Sequence, residues 1–313
     1  MKENMLRFEN DFHRIGRWMR RNARPLEFAL WNFHFDHGNP ETVLDALSAF
    51  QNEDGGFGHA LEADSHNPLS SPLQTADAIE IIESIGGCSV DTPLIQGILR
   101  YLRSGKDFRD GRWDLIIASN DAYPHAPWWD TKSDSDIRST FNPTAILCGF
   151  GLKYAQKDTD FWKRCLAIAH ELLDKHLNQS KIDMHPLLCL EFLYTILRQL
   201  DPQDDQILRA YAKLITDEEA VILNDLGSKE SYKCFPTHFI RSTQHPLYEA
   251  MRGLVDEDLD RILSRRNDDG LWDLNWGWGS DPEAFAVSAL WWKARIAVRN
   301  CVLLDNFKRI EGR

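Results

Sequence analysis

The chain has no apolar run approaching the ~20 residues that cross a bilayer, and no apolar leader segment follows Lys2 and Arg7. Both absences point to a cytoplasmic protein without a membrane span. Basic residues are outnumbered, with 36 Lys and Arg against 48 Asp and Glu and a formal net charge of -12. Non-specific nucleic-acid affinity comes mainly from cations set on phosphates, so this balance argues against nucleic acid as a partner. Cysteine is sparse. Cys88, Cys148, Cys165, Cys189, Cys234 and Cys301 stand far apart, several within apolar helical patterns where a reduced thiol packs as a small hydrophobe, and disulfides are not expected. No run of alternating β-branched residues argues for strands, which leaves an all-α reading.

What the chain does have is a repeat. Asp54-Gly55-Gly56-Phe57, Asp110-Gly111-Arg112-Trp113 and Asp269-Gly270-Leu271-Trp272 are each Asp-Gly-X-aromatic. The first interval is 56 residues and the second is 159, three times 53, so one unit of near-constant length fits both. Each copy follows an apolar helical pattern (Val43 to Phe50, Leu94 to Leu102, Val255 to Leu263). A second helix is expected after each, around Leu73 to Ile85, Pro143 to Tyr154 and Pro282 to Val298, with Pro143 and Pro282 suited to a first helical position. Further helical stretches run from Phe161 to Leu177, Pro186 to Leu200 and Asp205 to Leu223. The unit is a helical hairpin, and units of roughly 50 residues allow about six of them, closed into a ring or stacked as an open solenoid. Gly supplies the left-handed backbone that ends a helix, Asp can bond nearby amides, and the aromatic ring packs the turn on its neighbour. The reading is a single domain over residues 1–309. Ile310-Glu311-Gly312-Arg313 reads as a protease-recognition remnant and is set aside.

The segment Phe50-Gln51-Asn52-Glu53-Asp54-Gly55-Gly56-Phe57 resembles the Gln-to-aromatic repeat of class II terpene cyclases, a motif shared by protein prenyltransferase β subunits. Arg266-Asn267-Asp268-Asp269-Gly270-Leu271-Trp272 is a version without Gln, and the Asp110 copy is a third. The resemblance implies an (α/α)6 toroid with an apolar central cavity, and it covers parts of three hairpins. It implies chemistry as well: the cyclases begin with Asp-X-Asp-Asp-Thr-Ala, whose carboxylic acid protonates an alkene or epoxide. This chain departs from that motif. Phe141-Asn142-Pro143-Thr144-Ala145 keeps Thr-Ala but has Asn142 and Pro143 in place of acids, leaving Asn142 as a substrate-binding candidate.

Asp134-Ser135-Asp136-Ile137 has two acids but sits in a polar loop, and Asp268-Asp269 with Asp273 falls on a glycine turn rather than a magnesium-diphosphate helix. Prenyltransferase zinc needs an Asp, a nearby Cys and a distant His. His185 and Cys189 lie one turn apart with Asp183 just before them, but no third ligand is evident, and the reading is no metal and no cofactor.

Three polar insertions follow the turns and could line one mouth of such a ring. The first, residues 59–68, offers His59, Glu62 and Asp64 as catalytic candidates, or is a solvated loop. The second lies in a unit that has gained 13 residues: Thr75 follows Asp54 by 21 positions, Thr144 follows Asp110 by 34. Two prolines stiffen it, and His125, Trp128 and Trp129 become substrate-binding candidates. The third runs from Trp272 to Glu283. With Trp291 and Trp292 just beyond it, this stretch holds five of the 11 tryptophans. Aromatic faces stabilise cations or stack on sugars. Asp273, Trp276 and Trp278 are assigned to binding, and Asp281 joins the catalytic candidates. Arg14, Arg17, Arg21 and Arg24 share roughly one face of the first helix, which could touch an anionic membrane surface or a diphosphate, or is a solvated face paired with the chain's excess acids.

Three functions stay open: a cyclase- or transferase-like enzyme on an isoprenoid-type apolar molecule, a carbohydrate-active (α/α)6 enzyme, and a non-catalytic toroid binding a small molecule.

Overall fold

The computed structural model describes residues 5–132, 141–178, 184–225 and 235–312, with the side chains of 8, 9 and 218–225 left aside. Asp134, Asp136, Asp183 and Cys234 therefore lie outside the described residues. Of the described residues, 62% are helical and 5% are in strands or bridges. Its helices are α1 (His13–Asn22), α2 (Pro25–Phe35), α3 (Pro40–Ser48), α4 (Pro72–Ser84), α5 (Pro93–Ser104) and α6 (Thr144–Tyr154), followed by α7 (Asp160–Leu177), α8 (Met184–Leu200), α9 (Asp205–Asp225), α10 (Pro236–Phe239), α11 (Tyr248–Ser264) and α12 (Pro282–Asn306). Short strands pair as β1 (Leu6–Arg7) with β4 (Ile310–Glu311) in parallel, and β2 (Phe108–Arg109) with β3 (Arg112–Trp113) antiparallel. Among the described residues no helix is long and apolar enough to cross a membrane.

Cap-then-proline pairs start several helices. Ser71, Thr92 and Asp281 each accept a backbone N–H three residues on, and a proline follows each at a position whose missing N–H costs nothing. Pro143 is not the first residue of its helix: its ψ of 6° leaves it as the cap, and α6 begins at Thr144.

The described residues fall into two compact units, Leu47–Val221 and a second made of Met1–Ala46 with Ile222–Arg313. In the first, α6 is apolar on every side and packs against α4, α5, α7 and α8. Gly149 and Gly151 permit this closeness, because a Cβ there would stand 2.9 Å from the Phe192 ring and 2.6 Å from Cys165 Sγ. His176 on α7 is buried with Asp217 of α9 at 3.5 Å, and Lys213 reaches the same carboxylate. In the other unit α12 packs on α1 and α2, and Phe12, Trp31 and Phe35 cluster with centroids 4.8 to 4.9 Å apart. Asp258 on α11 accepts from Thr237 N and Oγ1 and from Arg261, tying α10 to α11. Ile310, within the segment set aside by sequence, is buried and paired with Leu6.

The repeated turn is built alike in its first and third copies. Asn52 N donates to Gly56 O at 2.9 Å and Asn267 N to Leu271 O at 2.7 Å. Gln51 faces Phe57, and Arg266 faces Trp272, in isolated antiparallel bridges. The second copy is one residue tighter, with Asp110 and Gly111 both left-handed (φ 50° and 77°) between β2 and β3, the pairing of a two-residue hairpin. The first and third corners each sit on another helix. Gln51 Nε2 donates to Leu94 O and Gly55 O, both at 3.0 Å, and Gly55 lies against the α5 backbone so closely that a Cβ would be 2.0 Å from Gly97 O. At the third corner Arg14 of α1 takes that place, donating to Asp268 O at 3.0 Å beside Gly270.

Gly55→Ala is expected to cost about 3 kcal/mol by combining overpacking with left-handed strain, whereas Gly111→Ala, with open space around it, should cost about 1 kcal/mol. Urea unfolding midpoints of the two variants check this, and equal losses would contradict the clamp. Burial pushes His176 down to about 4, against the pull of Asp217. A folded value below the unfolded one means that the stability it confers is present above the ordinary histidine range and is lost as pH falls from about 6.5 towards 4. Thermal melts across that window should slope in the wild type and flatten in His176→Phe.

Candidate functional site

The first two insertions are knitted into one surface within the unit Leu47–Val221. Asn67, fully buried, donates from Nδ2 to Ser119 Oγ (2.8 Å) and Asn120 Oδ1 (2.9 Å). Its own Oδ1 accepts from Leu69 N, and its carbonyl accepts from His59 N. Backbone bonds run alongside, from Ala126 N to Asp64 O (2.8 Å) and from His66 N to Pro124 O (2.9 Å), with Ser65 opposite His125 in an antiparallel bridge. Asn120 Nδ2 then donates to Trp129 O. Loops about 60 residues apart in the chain thus become one polar layer, held by buried and part-buried bonds.

Both ends of that layer are anchored to helices. Phe57 N donates to Thr75 Oγ1 at 3.1 Å and Trp113 N to Thr144 Oγ1 at 3.0 Å, so the aromatic of each of these two corners is tied to a threonine in the first turn of the following helix. The Thr-Ala pairs of α4 and α6 therefore brace corners.

On this layer the structure brings together Glu62, Asp64, His125, Trp128 and Trp129. Glu62 is 6% exposed and Asp64 2%, and Trp129 Nε1 donates to Glu62 Oε1 at 3.3 Å. An ionised carboxylate removed from water is stable only where donors surround it, and the indole N–H is one. Trp128, Trp129 and His125 are half-buried. His125 Nδ1 faces the Tyr123 carbonyl at 2.7 Å and must donate to it, which in the neutral ring puts the lone pair on Nε2. His59 is exposed, left-handed at φ 59°, and its Nε2 donates to Asn52 Oδ1, so it braces the first corner. Asn142 is half-buried just ahead of α6. One residue escaped the sequence reading: Gln74 at the start of α4 is fully buried, donates to Asn67 O, and has an Oε1 with no donor among the described residues. A glutamine two residues after a helix-opening proline carries no signal of that kind.

Asp273, Trp276, Trp278 and Asp281 belong to the other unit. Hydrogen bonds from Lys293 and Asn267 hold the Asp273 carboxyl below the usual range, so it stays ionised and braces the third corner. Asp281 is exposed and caps α12, accepting from Ala284 N at 3.1 Å. Trp278 is buried beside Phe285, while Trp276 stands edge-on to Trp292 with centroids 5.4 Å apart. Trp291 lies under Arg24, whose guanidinium forks onto Glu27, a nearly buried ion pair that sequence did not single out. His185 is exposed while its neighbour Cys189 is buried, and no group of three or more potential metal ligands occurs among the described residues.

Asn67→Ala should cost about 2 kcal/mol by leaving buried polar partners unmatched, and should speed hydrogen exchange at the Ala126 and His66 amides. Protection unchanged at both amides would mean that the two loops are held by other means. No family model matches the sequence, and no curated protein or solved structure matches it.

Proposed function

We propose that this chain is an α/α-toroid protein that binds and acts on an apolar, isoprenoid-type small molecule, with Glu62 as the proton-donating carboxyl and Trp128 and Trp129 as aromatic walls. The observation that carries the reading is the buried Glu62 carboxyl receiving the Trp129 indole N–H. In this mechanism the acid gives its proton to an alkene carbon or epoxide oxygen, the cation that develops faces the indoles, and the indole N–H steadies the carboxylate left behind.

The ring is supported by the corners. The first corner rests on α5, the helix that follows α4, and the third corner rests on α1, which the chain can supply after α12 only by returning to its start. The parallel pairing of β1 with β4 joins the two ends in the same sense. Corners seated on a neighbouring helix are the contacts that a series of hairpins requires.

A second reading has its own support. Asp64, buried on the same loop as Glu62, and the unmatched Gln74 Oε1 would suit a hydroxylated sugar flanked by two carboxyls. Thermal shift with farnesol, farnesyl diphosphate and squalene against cellotriose and maltotriose separates the two. Prenyl compounds should raise the melting temperature, and Glu62→Gln should keep the circular dichroism of the wild type while lowering turnover of the responding compound by about a hundredfold or more. A shift with oligosaccharides alone would transfer the site to the second reading, and full turnover in Glu62→Gln would remove the acid from the mechanism.

A further inference from the structure

Helix α1 carries Arg14, Arg17, Arg20 and Arg21 and no acid among its ten residues, while Arg24, grouped with them by sequence, lies beyond it as the cap of α2. Two of the four are accounted for by the fold. Arg14 braces the third corner through Asp268 O, with Asp11 at 3.7 Å, and Arg20 lies 3.9 Å from Asp36 and over the Phe28 ring. Arg17 and Arg21 are exposed and make no ion pair or hydrogen bond among the described residues. They are four residues apart on one helix, hence one turn and about 6 Å apart along the axis.

These two side chains are not spread over a convex surface. A cleft of about 220 Å³ is lined by Arg14, Arg17, Trp18, Arg21, Asn22 and Asp269. Asn22, also in the lining, donates to Trp18 O at 2.9 Å. Both guanidiniums stay exposed to solvent, but two of like sign one turn apart repel each other. The arrangement therefore has a cost that a bound anion would offset, and Asp269, on the cleft wall, supplies only one opposing charge.

We propose that this cleft is a binding site for a phosphoryl anion, gripped by Arg17 and Arg21 with the Trp18 ring as an adjoining flat face. The guanidinium fork matches two phosphate oxygens at once, and two forks a turn apart suit a diphosphate or a phosphomonoester better than a single carboxylate. The inference is independent of the Glu62 reading, since all six lining residues belong to the other unit. Asp269 opposes the anion and sets a limit on affinity, a feature the site can be tested by.

Inorganic pyrophosphate is the probe, titrated calorimetrically into the full chain, with sulfate and chloride at matched ionic strength as controls. Pyrophosphate should bind the wild type, Arg17→Gln/Arg21→Gln should weaken it by at least about tenfold with unchanged circular dichroism, and Asp269→Asn should tighten it several-fold. Sedimentation with phosphatidylcholine vesicles containing phosphatidic acid distinguishes the source of the phosphoryl group. Pyrophosphate binding without vesicle binding assigns a soluble ligand, and vesicle binding lost in the double variant assigns a lipid headgroup. Equal response to chloride, or pyrophosphate binding unaffected by the double substitution, overturns the proposal. Because Glu62 variants leave this titration untouched, failure here and failure of the Glu62 reading are separable.

Discussion

The contact on which the first corner depends is the seating of its glycine on a helix backbone. At Gly55 and Gly97 two main chains approach so closely that a Cβ at Gly55 would meet Gly97 O at 2.0 Å, while one at Gly97 would displace the Gln51 amide, whose Nε2 it would meet at 2.4 Å. A backbone pressed against a backbone hides polar groups, and Gln51 supplies the donor that makes this tolerable by bridging Leu94 O and Gly55 O. Asp54 completes the corner. Although its burial works against the charge, hydrogen bonds from Ser70, Lys106 and Gly56 hold its carboxyl below the ordinary value. The third copy reaches the same geometry with other residues: Asn267 Oδ1 accepts the Asp269 and Leu271 amides, and Arg14 provides the outside donor.

Fixed corners make long insertions affordable. A loop that leaves at Phe57 and returns at Thr75 starts and ends on one hydrogen bond, as does the stretch between Trp113 and Thr144. Loop-closure entropy rises only slowly with length once the ends are held, so the 13 extra residues of the second unit add little cost. What they add is the partner surface for the first loop. Neither loop could bury its own polar groups alone, and together they place Asn67, Asn120, Ser65 and Asp64 out of water.

How far the sequence foretold this differs by range. The Asp-Gly-aromatic turns, the helices on either side of them and the helix from Asp205 were legible, because glycine conformation and apolar periodicity are local properties. The crowding of acids, histidines and tryptophans in two insertions was legible as composition. That Glu62 meets Trp129, 67 positions away, was not, since nothing within either loop encodes which loop it faces. For the same reason Asp273 and Asp64 look alike on paper. Lys293 and Asn267 keep one exposed and ionised, while the second loop covers the other. Gln74 escaped because its unmatched oxygen is defined by what its neighbours fail to donate, which no pattern of residue types reports.

The placement of positive charge follows from the acidity of the chain. With 48 acids against 36 bases, an arginine at random has a carboxylate near it, and the described structure uses that supply: Arg24 forks onto Glu27, Arg261 onto Asp258, and Arg309 onto Asp256 and Asp260. The more exposed pairs of Arg309 contribute little, whereas Arg24 and Arg261 each satisfy a carboxylate that is nearly buried. Arg17 and Arg21 differ from other arginines without a carboxylate among the described residues, such as Arg209 and Arg265, in lying one turn apart in a single cleft, where Asp269 is the only acid of the lining and the two like charges add to one local potential.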